Sequence, residues 1–217
     1  MADRHRSRDA AVIRLYARVA VTRALGPGRR YALWVQGCPF HCPGCLAPDS
    51  LPFDAGERFP VARLANEILA VPGLEGVTIS GGEPFAQAPA LVALLDRIRP
   101  AGLGIIVYTG YTLAALRRRA RRDAATRDLL ERIDLLIDGP YMARRDDGGS
   151  LRGSANQQVH CLTPRYAAQR HRYGQPRREV EIHPRDDGLM LVGVPGPSAL
   201  ESLRRARQAK SLHRTTD

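Results

Sequence analysis

The sequence predicts an α/β fold built as an open, partial (βα) barrel, on three observations. Strand-like apolar runs alternate with helical periods between residues 31 and 138. Alternation at this spacing makes right-handed βαβ units and a parallel sheet. The chain has 217 residues, shorter than the ~250 of a closed eightfold barrel. About four parallel strands fit before residue 140, after which the rhythm changes.

The elements follow in order. "VIRLYARVAVTR" (12–23) is rich in β-branched and aromatic residues and predicts a strand or hairpin arm. "LGPGRR" (25–30) is a turn, and "YALWVQG" (31–37) a second strand. An irregular, proline-rich loop runs from there to about residue 60. "VARLANEILA" (61–70) places apolar residues at 61, 64, 65, 68 and 69, the helical period. "EGVTIS" (75–80) is a strand, "APALVALLDRIR" (88–99) a helix with Pro89 in its first turn, and "LGIIVYT" (103–109) a buried strand. "TLAALRRRARR" and "TRDLLERI" are helical, and "DLLID" (134–138) is the next strand. Beyond it a long polar loop leads to short strands at 158–163, 179–183 and 188–194. "RDDG" (185–188) signals a hairpin turn, and Ser198 with Glu201 has capping-box spacing for a last helix.

Composition bounds the function. No apolar run reaches the ~18 residues of a membrane span, and the polar start lacks a secretory apolar region. The expected location is therefore the cytoplasm, where thiols stay reduced. The net charge is +11, yet Lys210 is the only lysine among 33 basic residues. The arginine clusters at 117–122 and 204–210 fall on predicted helices and read first as solvated faces, so nucleic acid is not the expected partner.

The chemistry lies in "WVQGCPFHCPGC" (34–45), where Cys38, Cys42 and Cys45 stand in C-x3-C-x2-C spacing. Soft thiolates select zinc, copper(I) or an iron–sulfur cluster. Structural zinc takes four closed ligands, usually from paired C-x2-C units, which are missing here. Cys161 is a distant fourth candidate, but a buried free cysteine in a strand is the commoner case. A cubane held by three cysteines leaves one iron open to a small molecule. "TISGGEP" (78–84) ends the second parallel strand, on the face where barrel sites are built, and its glycines admit close backbone approach.

These stretches resemble the radical S-adenosylmethionine superfamily, so the fold implied is a partial (βα) barrel of the radical SAM type. A short β-hairpin and a helix form its C-terminal extension, in one domain with a core at about 12–160 and the extension at 161–217. The resemblance implies a [4Fe–4S] cluster on Cys38, Cys42 and Cys45, with S-adenosyl-L-methionine held by the open iron, Gly81, Gly82 and Glu83. Gly44, Cys45 and Leu46 would line the cofactor, and Asp138 and Arg152 would contact cofactor or substrate. "LGPGRRYALWVQGCPFHCPGC", "YTGYT" (108–112), "DLLIDGPY" and "LRGSANQ" (151–157) are most similar to the activating enzymes of glycyl-radical proteins, the branch serving anaerobic ribonucleotide reductase. That branch cleaves S-adenosylmethionine to a 5′-deoxyadenosyl radical, which takes a hydrogen from a glycine of a partner enzyme. A flavodoxin- or ferredoxin-type electron donor is implied as a second partner.

Two departures stand out: Leu46-Ala47 follow the third cysteine where the branch carries an aromatic or histidine and then asparagine, and the tail from 161 is long. They keep open a radical enzyme acting on another peptide or a small molecule. A zinc-binding nucleic-acid regulator is the rival from a different class.

Overall fold

The computed structural model describes residues 11–185 and 188–196. Its main sheet has seven strands: β1 (Val12–Thr22), β2 (Arg30–Val35), β3 (Glu57–Pro60), β4 (Gly76–Gly81), β5 (Gly104–Tyr108), β6 (Leu135–Asp138) and β7 (Gln158–Cys161). The order across the sheet is β3-β1-β2-β4-β5-β6-β7. The central pairs β2–β4, β4–β5 and β5–β6 are parallel, as the βα rhythm requires. The outer pairs, β1–β2, β1–β3 and β6–β7, are antiparallel.

Helices α1 (Val61–Leu69), α2 (Ala88–Ile98), α3 (Leu113–Ala120) and α4 (Ala124–Leu130) connect the strands. Their apolar stripes define one side of the molecule. Leu64 and Ile68 of α1, Leu91 and Leu95 of α2, Leu116 and Leu129 pack on Leu33, Val35, Ile79, Val107 and Leu136. Thr112 caps α3 by accepting from the Ala115 N–H, and Asp123 caps α4 by accepting from the Ala125 N–H. Arg119 of the 117–122 cluster pairs with Asp123 at 2.9 Å, an ordinary surface contact along a helix.

The opposite face carries the alternate residues of the same strands: Ala32, Trp34, Ile106, Tyr108, Leu135 and Ile137. A parallel sheet needs cover on both faces. Here the chain beyond residue 160 supplies it. A 3₁₀ helix over Pro164–Arg172 brings Tyr166 against Ile106, Leu135 and Ile137. A hairpin of β8 (Val180–Arg185) and β9 (Gly188–Gly193) brings Val192 and Val194 against Leu25 and Ala32.

Three expectations need correction. The loop before residue 60 is not wholly irregular: β3 pairs with β1, because Phe59 finds a buried place in the helix-side core. Leu69 belongs to the helical period but is 45% exposed, off the buried stripe. The 3₁₀ helix at 164–172 was not predicted, since its apolar content is one buried tyrosine. The turn residues 186–187, the helix expected from Ser198 and the arginine cluster at 204–210 lie outside the described residues. Among those described, no helix is long and apolar enough to cross a membrane.

One buried cation ties the second face together. Arg30 is fully buried; its guanidinium donates to Thr78 Oγ1 (2.6 Å), Tyr166 Oη (2.8 Å), and the carbonyls of Val77 and Gly104 (2.8 Å each). Burial lowers its pKa from the usual guanidinium value. Only a planar five-donor group reaches all these acceptors. Arg30→Met should cost about 3 kcal/mol in urea denaturation, because it leaves buried acceptors unpaired. Tyr166→Phe, which removes one partner of the same network, should cost about 1 kcal/mol.

Candidate functional site

The cysteine loop leaves the end of β2 and is closed by backbone bonds. Gly37 N donates to Ser50 O (2.8 Å) and Cys38 N to Leu51 O (3.0 Å). The buried Gln36 amide spans the loop, donating to Asp49 O (3.0 Å) and Pro52 O (2.8 Å). Gln87 locks the base: its amide donates to Gln36 O and Arg14 O, and its oxygen accepts from Arg14 N. Within the loop, Cys42-Pro43-Gly44-Cys45 is a β-turn, with Cys45 N bonded to Cys42 O at 3.0 Å. Proline at the second position and glycine with φ +78° at the third are what a type II turn demands. Gly44 is therefore placed by the turn, and it does not stand in the cavity wall described below.

The Gly81-Gly82 pair has an equally local cause. A Cβ on Gly81 would lie 2.5 Å from Val35 N, and one on Gly82 2.3 Å from Gly37 O. Only glycine lets the β4 exit pass so close under the cysteine loop. Gly82 N then bonds Val35 O (2.7 Å) and Glu83 N bonds Gly37 O (2.8 Å). Glu83 continues the joining. Its fully buried carboxylate accepts from Phe85 N (2.9 Å), Thr109 Oγ1 (2.8 Å) and Gly110 N (2.9 Å). Tyr111 packs edge-on against Phe40 of the cysteine loop, with ring centroids 4.7 Å apart, and a side chain on Gly110 would strike Phe40. The "TGY" segment is thus the third strand exit locked to the other two.

Cys38, Cys42 and Cys45 line one cavity of about 290 Å³. Its wall is built from the ends of all four parallel strands: Trp34, Ser80 to Glu83, Tyr108 to Gly110, and Gly139 with Tyr141. Leu46 lies on its rim, and Gly153 and Gln157 close one side. Burial pushes the Cys38 thiol up to about 11 and raises that of Cys45, while backbone N–H groups of Phe40 and Ala47 point at these two sulfurs and oppose the shift. Neutral thiols that already receive N–H bonds suit a metal that displaces their protons. Among the described residues no three Cys, His, Asp or Glu side chains converge on one ion. A cubane does not require that, since each thiolate binds a different iron. The donor set thus fits a three-cysteine cluster and gives no closed zinc site.

The structure brings the cysteines, Leu46, Gly81, Gly82 and Glu83 together in one wall and, besides Gly44, leaves Asp138 and Arg152 out of it. Asp138 accepts from Leu113 N (2.6 Å) and Gln158 N (3.3 Å), with His160 Nε2 3.1 Å away. It caps the entry to α3 and pins β7, and does not face the cavity. Arg152 pairs with Asp147 and also lies outside the wall. Its neighbours in "LRGSANQ" reach the site instead: Gln157 bonds Gly153 N and Gly139 O at 2.8 Å, holding the loop in place. Trp34, expected in the core, is half-buried in the wall. Cys161 sits in β7 opposite Leu135, packed with Ile106 and Ile137. Sequence reasoning missed the Gln36 and Gln87 clamps, and it missed Leu191, Gly193, Val194 and Pro195 of the extension, four residues that line the cavity. Gln36 lies within the quoted cysteine motif, which assigns it no role, Gln87 lies outside every quoted motif, and the hairpin's approach needs the tertiary fold.

Comparison with known proteins agrees with this geometry. Residues 24–160 match the model of a family described as a 4Fe-4S single cluster domain. The chain is 34% identical over 150 residues to the anaerobic ribonucleoside-triphosphate reductase-activating protein of Vibrio cholerae, covering 64% of this chain and 91% of that protein. The protein of that name from Escherichia coli K12 is 34% identical over 146 residues, 63% of this chain and 91% of the relative. Over a shorter stretch, 90 residues are 39% identical to a pyruvate formate-lyase-activating enzyme of Staphylococcus epidermidis, 39% of this chain and 36% of that one.

Glu83 yields a test of the strand-end lock. Burial raises its carboxyl from the ordinary 4.5 to about 7, against the N–H donors that favour the anion. The folded chain then holds this proton at pH values where the unfolded chain has released it. Its contribution to stability is full below pH 4.5 and declines as pH rises towards 7. In Glu83→Gln this part of the pH dependence should vanish between pH 5 and 7 in thermal melts. The variant should also lose about 1–3 kcal/mol, because the NH₂ that replaces one carboxylate oxygen cannot accept from the backbone N–H that this oxygen held.

Proposed function

Because the chain belongs to the 4Fe-4S single cluster domain family, among the radical S-adenosylmethionine enzymes that activate glycyl-radical proteins, we propose that its target is an anaerobic ribonucleotide reductase. The observation that carries this is the shared cavity, with three thiols on one wall and the Gly81-Gly82-Glu83 exit on the next. When bound, the [4Fe–4S] cluster and S-adenosylmethionine supply one-electron cleavage of a carbon–sulfur bond, giving a 5′-deoxyadenosyl radical that takes a Cα hydrogen from the partner's glycine.

The protein's own part is to hold, orient and dry the site. Cys38, Cys42 and Cys45 would ligate the cluster. The type II turn sets two of these thiols, and the Gln36 clamp sets the loop that carries the first. The Gly81-Gly82 backbone and Leu46 would flank the methionine part of the cofactor. Glu83 would brace that wall through three hydrogen bonds within the chain. Phe40, Leu51 and Trp34 present apolar surface that keeps water from the reacting centre. Convergence of four strand ends on one cavity supports the partial (βα) barrel, and packing of the extension on that core supports one domain. An outside one-electron donor of the flavodoxin or ferredoxin type completes the cycle.

Anaerobic reconstitution followed by iron and sulfide analysis tests the ligand set. Wild type should hold about four irons, and Cys38→Ala, Cys42→Ala and Cys45→Ala should each lose most of them while Cys161→Ser keeps them. Reduced protein with S-adenosylmethionine and the anaerobic ribonucleotide reductase of the same organism should give a glycyl doublet by EPR. The Leu46-Ala47 departure favours one other reading, a different polypeptide target. Deoxyadenosine release with no doublet on the reductase would select it.

A further inference from the structure

A second cavity, of about 780 Å³, shares no lining residue with the one that holds the cysteines. It opens between the turn before β2, the loop at 150–151 and the chain from 169 to 179. Half of its lining, from Gln169 onward, lies beyond the family match, which ends at residue 160.

The charge around this cavity is one-sided. Arg23, Arg172 and Arg177 line it with His171, against a single carboxylate, Glu179. Among the described residues these three guanidinium groups make no ion pair and no hydrogen bond. Arg178, next in the chain, shows the contrast. It forks onto Asp146 at 2.7 and 3.0 Å and donates to Gly149 O (3.1 Å) and Arg152 O (2.9 Å). Like charges around one hollow repel, and an anion between them offsets that repulsion. Charge does not favour the chain's own ends as the occupant. Residues 197–217 carry five arginines and lysines against Glu201 and Asp217, and residues 1–10 carry three arginines against two aspartates.

The walls are held by the fold itself. Ser150 N donates to Gln175 O (2.7 Å), Ser150 Oγ to Arg172 O (2.8 Å) and Gly174 N to Ser150 O (3.3 Å), which fastens one wall to the other. Leu151, beside this fastening, has φ +63°, the only positive φ of a non-glycine among the described residues. Such a backbone persists only where its surroundings fix it. Leu151 and Tyr173 pack on the Tyr166 cluster and give the cavity an apolar side. Gly26, Pro27 and Gly28 add backbone that a ligand can approach closely. A concave volume of this size suits a small molecule. Guanidinium forks match phosphate oxygens in pairs, and three of them from separate chain positions call for charge spread over more than one phosphate.

We propose that this cavity is a binding site for a small molecule carrying two or more linked phosphates, held by Arg23, Arg172 and Arg177. A nucleoside polyphosphate would also use the apolar side at Leu151 and Tyr173; a bare phosphate chain would not.

Anaerobic calorimetry at physiological ionic strength tests the site, on cluster-loaded protein saturated with S-adenosylmethionine so that the cysteine cavity is filled. The probes are ATP, pyrophosphate and adenosine. ATP and pyrophosphate should bind with dissociation constants below about 1 mM, and adenosine should not. Arg172→Ala/Arg177→Ala should weaken both at least about tenfold. Its ligand-free thermal melt should not fall, since these side chains make no native bond. Arg118→Ala/Arg122→Ala removes the same charge from the exposed 117–122 cluster and should leave binding unchanged. Tighter binding of ATP than of pyrophosphate supports a nucleoside polyphosphate, and equal or weaker binding of ATP supports a bare phosphate chain. The site is overturned if neither phosphate probe binds wild type, if adenosine binds as tightly as ATP, or if the two double variants bind alike. No arm uses the reductase, so the outcome is independent of the target proposed above.

Discussion

The site depends on how closely three strand ends meet. β2, β4 and β5 leave the sheet side by side, and each exit carries a loop that would drift if left to itself. Glycine at 81 and 82 lets two of these backbones touch, and the Glu83 carboxylate draws in the third through Thr109 and Gly110. A charge-bearing group in a dry interior is costly, and here three hydrogen bonds offset only part of that cost. Each thiol then takes its place from something outside itself: Cys38 from its bond to Leu51, Cys42 and Cys45 from a proline–glycine turn.

The second face of the sheet obeys the same economy of contacts. Helices fill one side as the βα connections dictate. The other side would expose Ala32, Ile106, Leu135 and Ile137, and the residues past 160 cover it. Arg30 joins the two parts, reaching strand carbonyls with one edge and the Tyr166 hydroxyl with another. The extension is thus a structural half of the sheet's packing and, through Leu191, Gly193, Val194 and Pro195, part of the cavity. Catalytic core and extension are coupled because one concave surface serves both.

Much of the site was legible in the residues. Three cysteines at C-x3-C-x2-C spacing and a glycine pair one βα unit later named the cavity walls before any coordinate. Three charged motif residues have partners within the chain that the pattern does not show. Glu83, Asp138 and Arg152 are charged groups in family-like motifs, which sequence reading assigns to ligands. Each instead meets backbone N–H groups or a neighbouring charge of the opposite sign. A pattern reports that a polar residue is needed; it does not report which atom it faces.

What the sequence by itself determined is local. The strand and helix periods, the type II turn at Pro43-Gly44, the soft donor set and the family all follow from neighbours along the chain. Only the tertiary structure decided that β3 and β7 extend the sheet, that Gln36 and Gln87 clamp the cysteine loop, and that the hairpin from 180 to 193 reaches the cluster cavity. Those contacts join residues tens to more than a hundred positions apart. Their partners are chosen by which surface remains uncovered once the sheet has formed, and no local period encodes that.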